Sequence, residues 1–158
     1  MKILVMSDTH GNSLGQTVFQ QMKDQVDMVL HLGDDARDLH PIQRMAPTMA
    51  MHSVGGAFEY RETQERIVEV PPNIKILMVH GHDQDVKSGL KSLVYYAQSK
   101  GVNVCLFGHT HQATTFSLDG IYFMNPGCLR ANPGPVGNHF GILDISPSGD
   151  IAGEIHSC

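Results

Sequence analysis

The chain has no tryptophan, only three cysteines in 158 residues and no run of lysine or arginine. Each absence excludes something. Cys105, Cys128 and Cys158 are an odd, widely spaced set, so no disulfide framework is implied, which fits a reducing cytoplasm. Cys105 lies inside the apolar run Val102–Phe107 and reads as a small core residue. With a formal net charge of −5 and no basic run, the chain offers no footprint for tight non-specific binding to DNA or RNA. No segment approaches the ~20 apolar residues of a membrane span. The apolar start Met1–Met6 is too short for a signal sequence and ends at Asp8.

The bulk of the sequence is ordinary. A 41% hydrophobic content and this length suit one soluble domain over residues 1–158, with a proper core. Continuous apolar runs at Ile3–Met6, Met28–Leu32, Ile74–Val79 and Val102–Phe107 predict buried strands. Pro47–Val54 predicts a third early strand. Glu65–Val70 alternates charged and apolar residues, as a half-exposed strand does. Helices are predicted over Asn12–Lys23, Ala36–Met45 and Val86–Lys100, the last ending at Gly101. Beyond Thr110 the pattern changes to short strands at Thr114–Leu118, Ile121–Met124, Phe140–Ile145 and Ile151–Ile155, with a long ordered loop over Asn125–Asn138. Strand–helix alternation followed by hairpins predicts an α/β sandwich whose sheets are flanked by helices.

Four clusters of histidine and aspartate sit where these strands end: Asp8-Thr9-His10, Gly33-Asp34, His80-Gly81-His82 and Gly108-His109-Thr110-His111. Taken singly, each has a bland explanation. Asp8 or Asp34 can cap a helix, and a lone histidine is more often a satisfied polar group than a ligand. Taken together they place hard oxygen and imidazole donors at strand exits, where ligands gather in open α/β sheets. A glycine before Asp34 and before His109 allows a sharp turn there. The set points to two metal ions, and a two-metal site points to hydrolysis, most often of phosphate esters. Two divalent cations would add about +4 of local charge, so an anionic substrate is compatible with the acidic chain.

The order D-x-H, G-D, H-G-H, G-H-x-H resembles the calcineurin-like metallophosphoesterases, and most closely their small single-domain bacterial and archaeal phosphodiesterase branch. The likeness runs from Ile3 to about Ile145 and includes Ser7-Asp8-Thr9-His10-Gly11-Asn12 and Asn125-Pro126-Gly127. It implies a four-layer α-β-β-α sandwich of the metallo-dependent phosphatase type. It assigns Asp8, His10 and His111 to a first metal, Asp34 to both, and His80 and His109 to a second. The family's mechanism implies a hydroxide bridging the metals beside Asp34, with histidines such as His80 and His109 stabilising the phosphorus oxygens. The resemblance favours Mn; the carboxylate and imidazole donors also suit Ni, Fe or Zn. It implies a small phosphodiester as substrate, and compact members of this size are often dimers or higher oligomers.

Two positions depart from the family pattern. Its G-N-x-D/E motif corresponds to Gly56-Ala57-Phe58-Glu59, so Ala57 replaces an Asn ligand of the second metal. Phe58 stands where many members carry a His that protonates the leaving group. The expected result is a phosphodiesterase with a weakened second site. The alternative is an impaired member acting as a binding or scaffold protein, a use of the fold for which the related retromer scaffold subunit is the precedent. Glu59, His52 and His82 are candidates to fill the vacancy, although Glu59 matches an acidic position with a different job. His82 is also read as holding a ligand's orientation. Asn12 reads equally as a helix cap or a phosphate contact. Asn125 reads as a structural turn or as the rim of the site, and the resemblance favours the rim. His31, His40, His139 and His156 read as structural or surface residues.

Overall fold

A computed structural model describes residues 1–158. Ten strands form two five-stranded sheets. The first contains β1 (Lys2–Met6), β2 (Met28–His31), β3 (Ala50–Ser53), β9 (His139–Ile145) and β10 (Ile151–Ser157), in the order β10-β9-β1-β2-β3. The second contains β4 (Glu65–Val70), β5 (Ile74–Val79), β6 (Val104–Leu106), β7 (Thr114–Leu118) and β8 (Ile121–Asn125), in the order β4-β5-β6-β8-β7. In each sheet the three strands β1-β2-β3 or β5-β6-β8 run parallel, with antiparallel strands outside them. Three helices are present, α1 (Leu14–Met22), α2 (Leu39–Met45) and α3 (Lys91–Lys100).

The continuous apolar runs have a direct cause: their strands are covered on both faces. Ile3 and Val5 of β1 face the second sheet and pack with Ile76, Met78, Val104 and Leu106. Their alternates Leu4 and Met6 face the other way, onto Val18 and Phe19 of α1 and Ile42 of α2. On the far side, Leu77, Cys105 and Phe123 meet Leu93 and Ala97 of α3. The result is four layers, α1 and α2, sheet, sheet, α3, as the resemblance implied. Cys105 is a buried core residue whose thiol pKa is raised by burial.

Several predicted boundaries differ. The helix predicted over Val86–Lys100 is a 3-10 turn at Val86–Ser88, an interruption at Gly89 with φ 130°, and then α3. Val86 is buried in the same cluster as Leu93 and Ala97, so the apolar spacing continues backwards past the break. The helix predicted from Asn12 begins at Leu14, and that predicted from Ala36 opens as a 3-10 turn before α2. The Pro47–Val54 strand narrows to Ala50–Ser53, because the chain first turns, with Met49 N–H donating to Ala46 O. The Asn125–Asn138 loop contains one short 3-10 turn, Gly134–Val136.

Candidate metal centre

The carboxyl ends of β1, β2, β5 and β6 lie at one edge of the sandwich, and every candidate ligand follows one of them. The backbone must turn abruptly to bring these side chains together. Asp8, His10, Asp34, His109 and His111 all have positive φ, between 51° and 68°. Non-glycine residues rarely adopt this region, though Asp and His tolerate it better than most. Hydrogen bonds lock the turns in place. Asp8 N–H donates to Gly33 O at 2.9 Å and His10 N–H to Asp34 O at 3.2 Å, joining the loops after β1 and β2. Gly108 N–H donates to His80 O at 2.9 Å, joining those after β5 and β6. Two bonds cross between the sheets: His80 Nδ1 to Leu32 O at 2.8 Å, and His109 N–H to Asp8 Oδ2 at 3.1 Å.

Close approach demands glycine at specific points. A Cβ on Gly108 would lie 2.7 Å from Asp8 Oδ2. A Cβ on Gly56 would lie 2.6 Å from Asp34 N and overlap that carboxylate. Gly56 and Ala57 therefore belong to a loop packed directly on Asp34.

All six predicted residues come together, in two groups. Asp8, His10, Asp34 and His111 present donor atoms within 4.8 Å of one another, and so do Asp34, His80 and His109. Asp34 belongs to both. Its Oδ2 faces His10 Nε2 at 3.7 Å, and its Oδ1 faces His80 Nε2 at 3.4 Å. Asp8 Oδ2 accepts from Ser7 and from His109 N–H, but its fully buried Oδ1 has no hydrogen-bond partner. His111 Nε2 lies 3.0 Å from that orphaned oxygen. His80 Nε2 and His109 Nδ1 face each other at 3.0 Å. A buried carboxylate oxygen without a donor, ringed by imidazole nitrogens, fits divalent cations.

The electrostatics agree with this chemistry. Burial opposes ionisation of Asp8, but the facing His111 and His80 and the hydrogen bond from Ser7 outweigh it and hold its carboxyl below the usual range. Burial, with His80 and Lys87 nearby, depresses the His109 pKa to about 4. His109 is therefore neutral at pH 7, the form in which imidazole binds a metal.

The secondary candidates take other roles. Glu59 does not enter either group. Its carboxylate accepts from Gly56 N–H at 2.6 Å and Ala36 N–H at 2.9 Å, tying the Gly56 loop to the segment after Asp34. His52 lies on β3 and also stands outside both groups. His82 contributes to neither; its ring centroid is 5.6 Å from that of His80. Asn12 is structural: its side chain accepts from Leu14 N–H and donates to Leu129 O and Thr9 O. Asn125 is buried rather than exposed on a rim. It donates to Gly108 O and Thr110 Oγ1, each at 3.0 Å, and accepts from Gly127 N–H, bracing the loop that carries His109 and His111. His31 is fully buried, its Nδ1 accepting from Gly33 N–H and its Nε2 bonded to Thr9 Oγ1. Arg130, which no sequence motif singled out, donates from Nη1 to His111 Nδ1 at 2.9 Å.

A two-sheet sandwich with this cluster at its strand ends defines a metallophosphoesterase architecture. Residues 1–148 match the calcineurin-like phosphoesterase superfamily domain, and the chain belongs to that superfamily. It is similar to a probable metallophosphoesterase, YsnB, of Bacillus subtilis: 31% identical over 133 residues, covering 82% of this chain and 76% of that one. In fold it is similar to wild-type Vps29 of Entamoeba histolytica, solved in complex with Zn2+, with a TM-score of 0.75, 24% identity and 99% of each chain covered. An archaeal phosphodiesterase gives a TM-score of 0.74 at 22% identity, covering 99% of this chain and 100% of that chain. No helix of the chain is long and apolar enough to cross a membrane.

Proposed function

We propose that this protein is a metal-dependent phosphodiesterase acting on a small phosphodiester through two divalent cations. Asp8, His10, Asp34 and His111 would hold the first, and Asp34, His80 and His109 the second. The observation that carries this reading is Asp34, whose two carboxylate oxygens face two separate imidazole sets. When bound, divalent cations neutralise phosphate oxygens and acidify water enough to supply a nucleophile at neutral pH.

The protein's own part is preorganisation. His80 is pinned by Leu32 O through Nδ1, which leaves Nε2 directed at Asp34 and Asp8. Asp8 is fixed by Ser7 and by the His109 amide, so its free Oδ1 stays aimed into the cluster. Neutral His109 needs no proton loss before it can serve as a donor. The Glu59 carboxylate holds the Gly56 loop against Asp34. Asp34, His80 and His109 are the residues we assign to the reacting centre.

The two sites are unequal. The second has three protein donors where the first has four, and the Ala57 methyl adds none. We infer that the second cation is held more loosely. Phe58 is 85% exposed and has no proton to give, so any proton for the leaving group must come from water or another histidine. Positioned proton transfer is typically worth ~10²–10⁴-fold in rate. Nitrophenyl diesters should therefore turn over far faster than alkyl diesters. A rate independent of leaving-group pKa, with chemistry limiting, would refute that expectation. Carboxylate and imidazole donors suit Mn, Fe, Ni and Zn alike, and the family resemblance favours Mn. Three free cysteines fit a cytoplasmic protein, and we read residues 1–158 as one domain capable of self-association.

The test is metal content together with hydrolysis of bis(nitrophenyl) phosphate in added Mn2+. Two ions per chain, with turnover that disappears in Asp34→Ala, are expected. Protein that stays metal-free and inert in excess Mn2+ overturns the proposal. A second reading, a binding or scaffold protein on the same fold, is favoured by one observation: Phe58 and Tyr60 expose large aromatic rings (85% and 79%) on the segment that follows Ala57. Inert protein that captures a partner through this face, and loses it in Phe58→Ala, would select that reading.

A further inference from the structure

Arg130 lies 19 residues from His111 in the chain yet meets its ring. Its Nη1 donates to His111 Nδ1 at 2.9 Å. Asn138 grips its backbone on both sides, accepting from Arg130 N–H at 2.8 Å and donating to Arg130 O at 2.9 Å. The residue is thus held in place while its guanidinium faces no carboxylate partner: the protein's ion pairs do not include it. A guanidinium carries five N–H donors and no acceptor. Only one of Arg130's contacts, that to His111, is spent in a side-chain hydrogen bond.

Arg130 meets His111 at Nδ1, while His111 Nε2 faces Asp8 Oδ1 at 3.0 Å, so the guanidinium stands at the outer edge of the first set of donors. It is only partly buried, which leaves its remaining N–H groups within reach of a ligand arriving from solvent. A guanidinium without a carboxylate partner, anchored there, is matched to a planar array of anionic oxygens.

We propose that Arg130 is a substrate-binding residue. Its free N–H donors would bind a non-bridging phosphate oxygen of a substrate held beside the first set of donors. This rests on the two-cation reading above and names the group that binds the anionic end of the substrate. The phosphoryl group gains a fixed positive partner that belongs to the protein rather than to the ions. Lysine, a point charge without the fork, should replace it only in part.

Inorganic phosphate is the probe, titrated by calorimetry into protein preloaded with Mn2+. Arg130→Gln is expected to weaken phosphate binding by on the order of ten- to a hundredfold, and Arg130→Lys by less. Mn2+ affinity and stoichiometry should stay within about threefold of wild type. For diester hydrolysis the loss should fall on KM more than on kcat. Unchanged phosphate affinity with weakened Mn2+ binding in Arg130→Gln would overturn the proposal and leave Arg130 as a positioning residue for His111. Wild-type protein that takes up no cation would overturn the two-cation reading and this proposal together, an outcome separate from failure of Arg130 alone.

Discussion

His31 and Ala57 illustrate how single residues set limits on this site. His31 is sealed between Thr9 Oγ1 and Gly33 N–H, and burial depresses its pKa from 6.5 to about 4. The folded protein therefore prefers neutral His31, while the unfolded chain protonates near pH 6.5. Stability from this group is fully present above about pH 6.5 and is lost as pH falls toward 4, by roughly 3 kcal/mol at the limit. Urea midpoints measured from pH 7 to pH 4 should drop steadily, and His31→Gln should flatten that slope. An identical slope in the variant would show that other groups control acid stability. Ala57 makes the opposite kind of statement, since it is defined by an atom it lacks. Ala57→Asn should tighten the weaker Mn2+ site by about tenfold or more. Calorimetric titration would resolve the two sites, and two unchanged affinities would remove Ala57 from the metal reading.

At the scale of elements, the strands aim the ligands but hydrogen bonds between loops hold them there. The Asn125 side chain at the end of β8 bonds Gly108 O, Thr110 Oγ1 and Gly127 N–H from a fully buried position. Asn125→Ala would leave a buried carbonyl and a buried amide unpartnered, a cost of about 2–3 kcal/mol. It should also loosen the loop bearing His109 and His111, so Mn2+ affinity should fall along with the urea midpoint. Lost stability with intact Mn2+ binding would mean that the brace supports the fold but not the site. Glu59 works in the same way between the Gly56 loop and Ala36. The sequence pattern marked both residues as belonging near the site and left Asn125 between a structural turn and the rim, where the resemblance favoured the rim and the structure shows the turn. A buried amide that satisfies three neighbours and an exposed amide awaiting a ligand look alike in sequence. The interrupted helix before α3 was hidden for a related reason. Leu90, Leu93, Val94 and Ala97 share a helical face, and Val86 continues that spacing, buried in the same cluster although it lies in a 3-10 turn before Gly89.

For the whole molecule, the two sheets are held together by one apolar layer and, at the site, by a few polar bonds. His109 N–H reaches Asp8 across 101 residues of chain, and His80 reaches Leu32 across 48. Cations shared between residues of both sheets would add to this link and bind only the folded form. At a free Mn2+ concentration a hundred times Kd, one such site contributes about 2.7 kcal/mol. For a chain of this length that should raise Tm by roughly 5–10 °C, and a chelator should reverse it. Asp34→Ala should abolish the increment. A Tm insensitive to both Mn2+ and chelator would argue against cations bridging the sheets.

The chemical alphabet of this protein is written locally, in neighbouring residues. Six hard donors follow four buried strands, and strand burial is legible because double-sided coverage demands uninterrupted apolar runs. Both are local properties, carried by neighbouring residues. Tertiary packing set which donors group together, that Asp34 turns one oxygen to each group, and that Asp8 keeps an unpartnered oxygen within reach of His111. It also decided that Arg130 rests on His111 and that Glu59 clamps two amides rather than filling the place beside Ala57. These arrangements join residues far apart in the chain. Their geometry follows from how two sheets pack and how five left-handed turns aim their side chains, which no short stretch of sequence encodes.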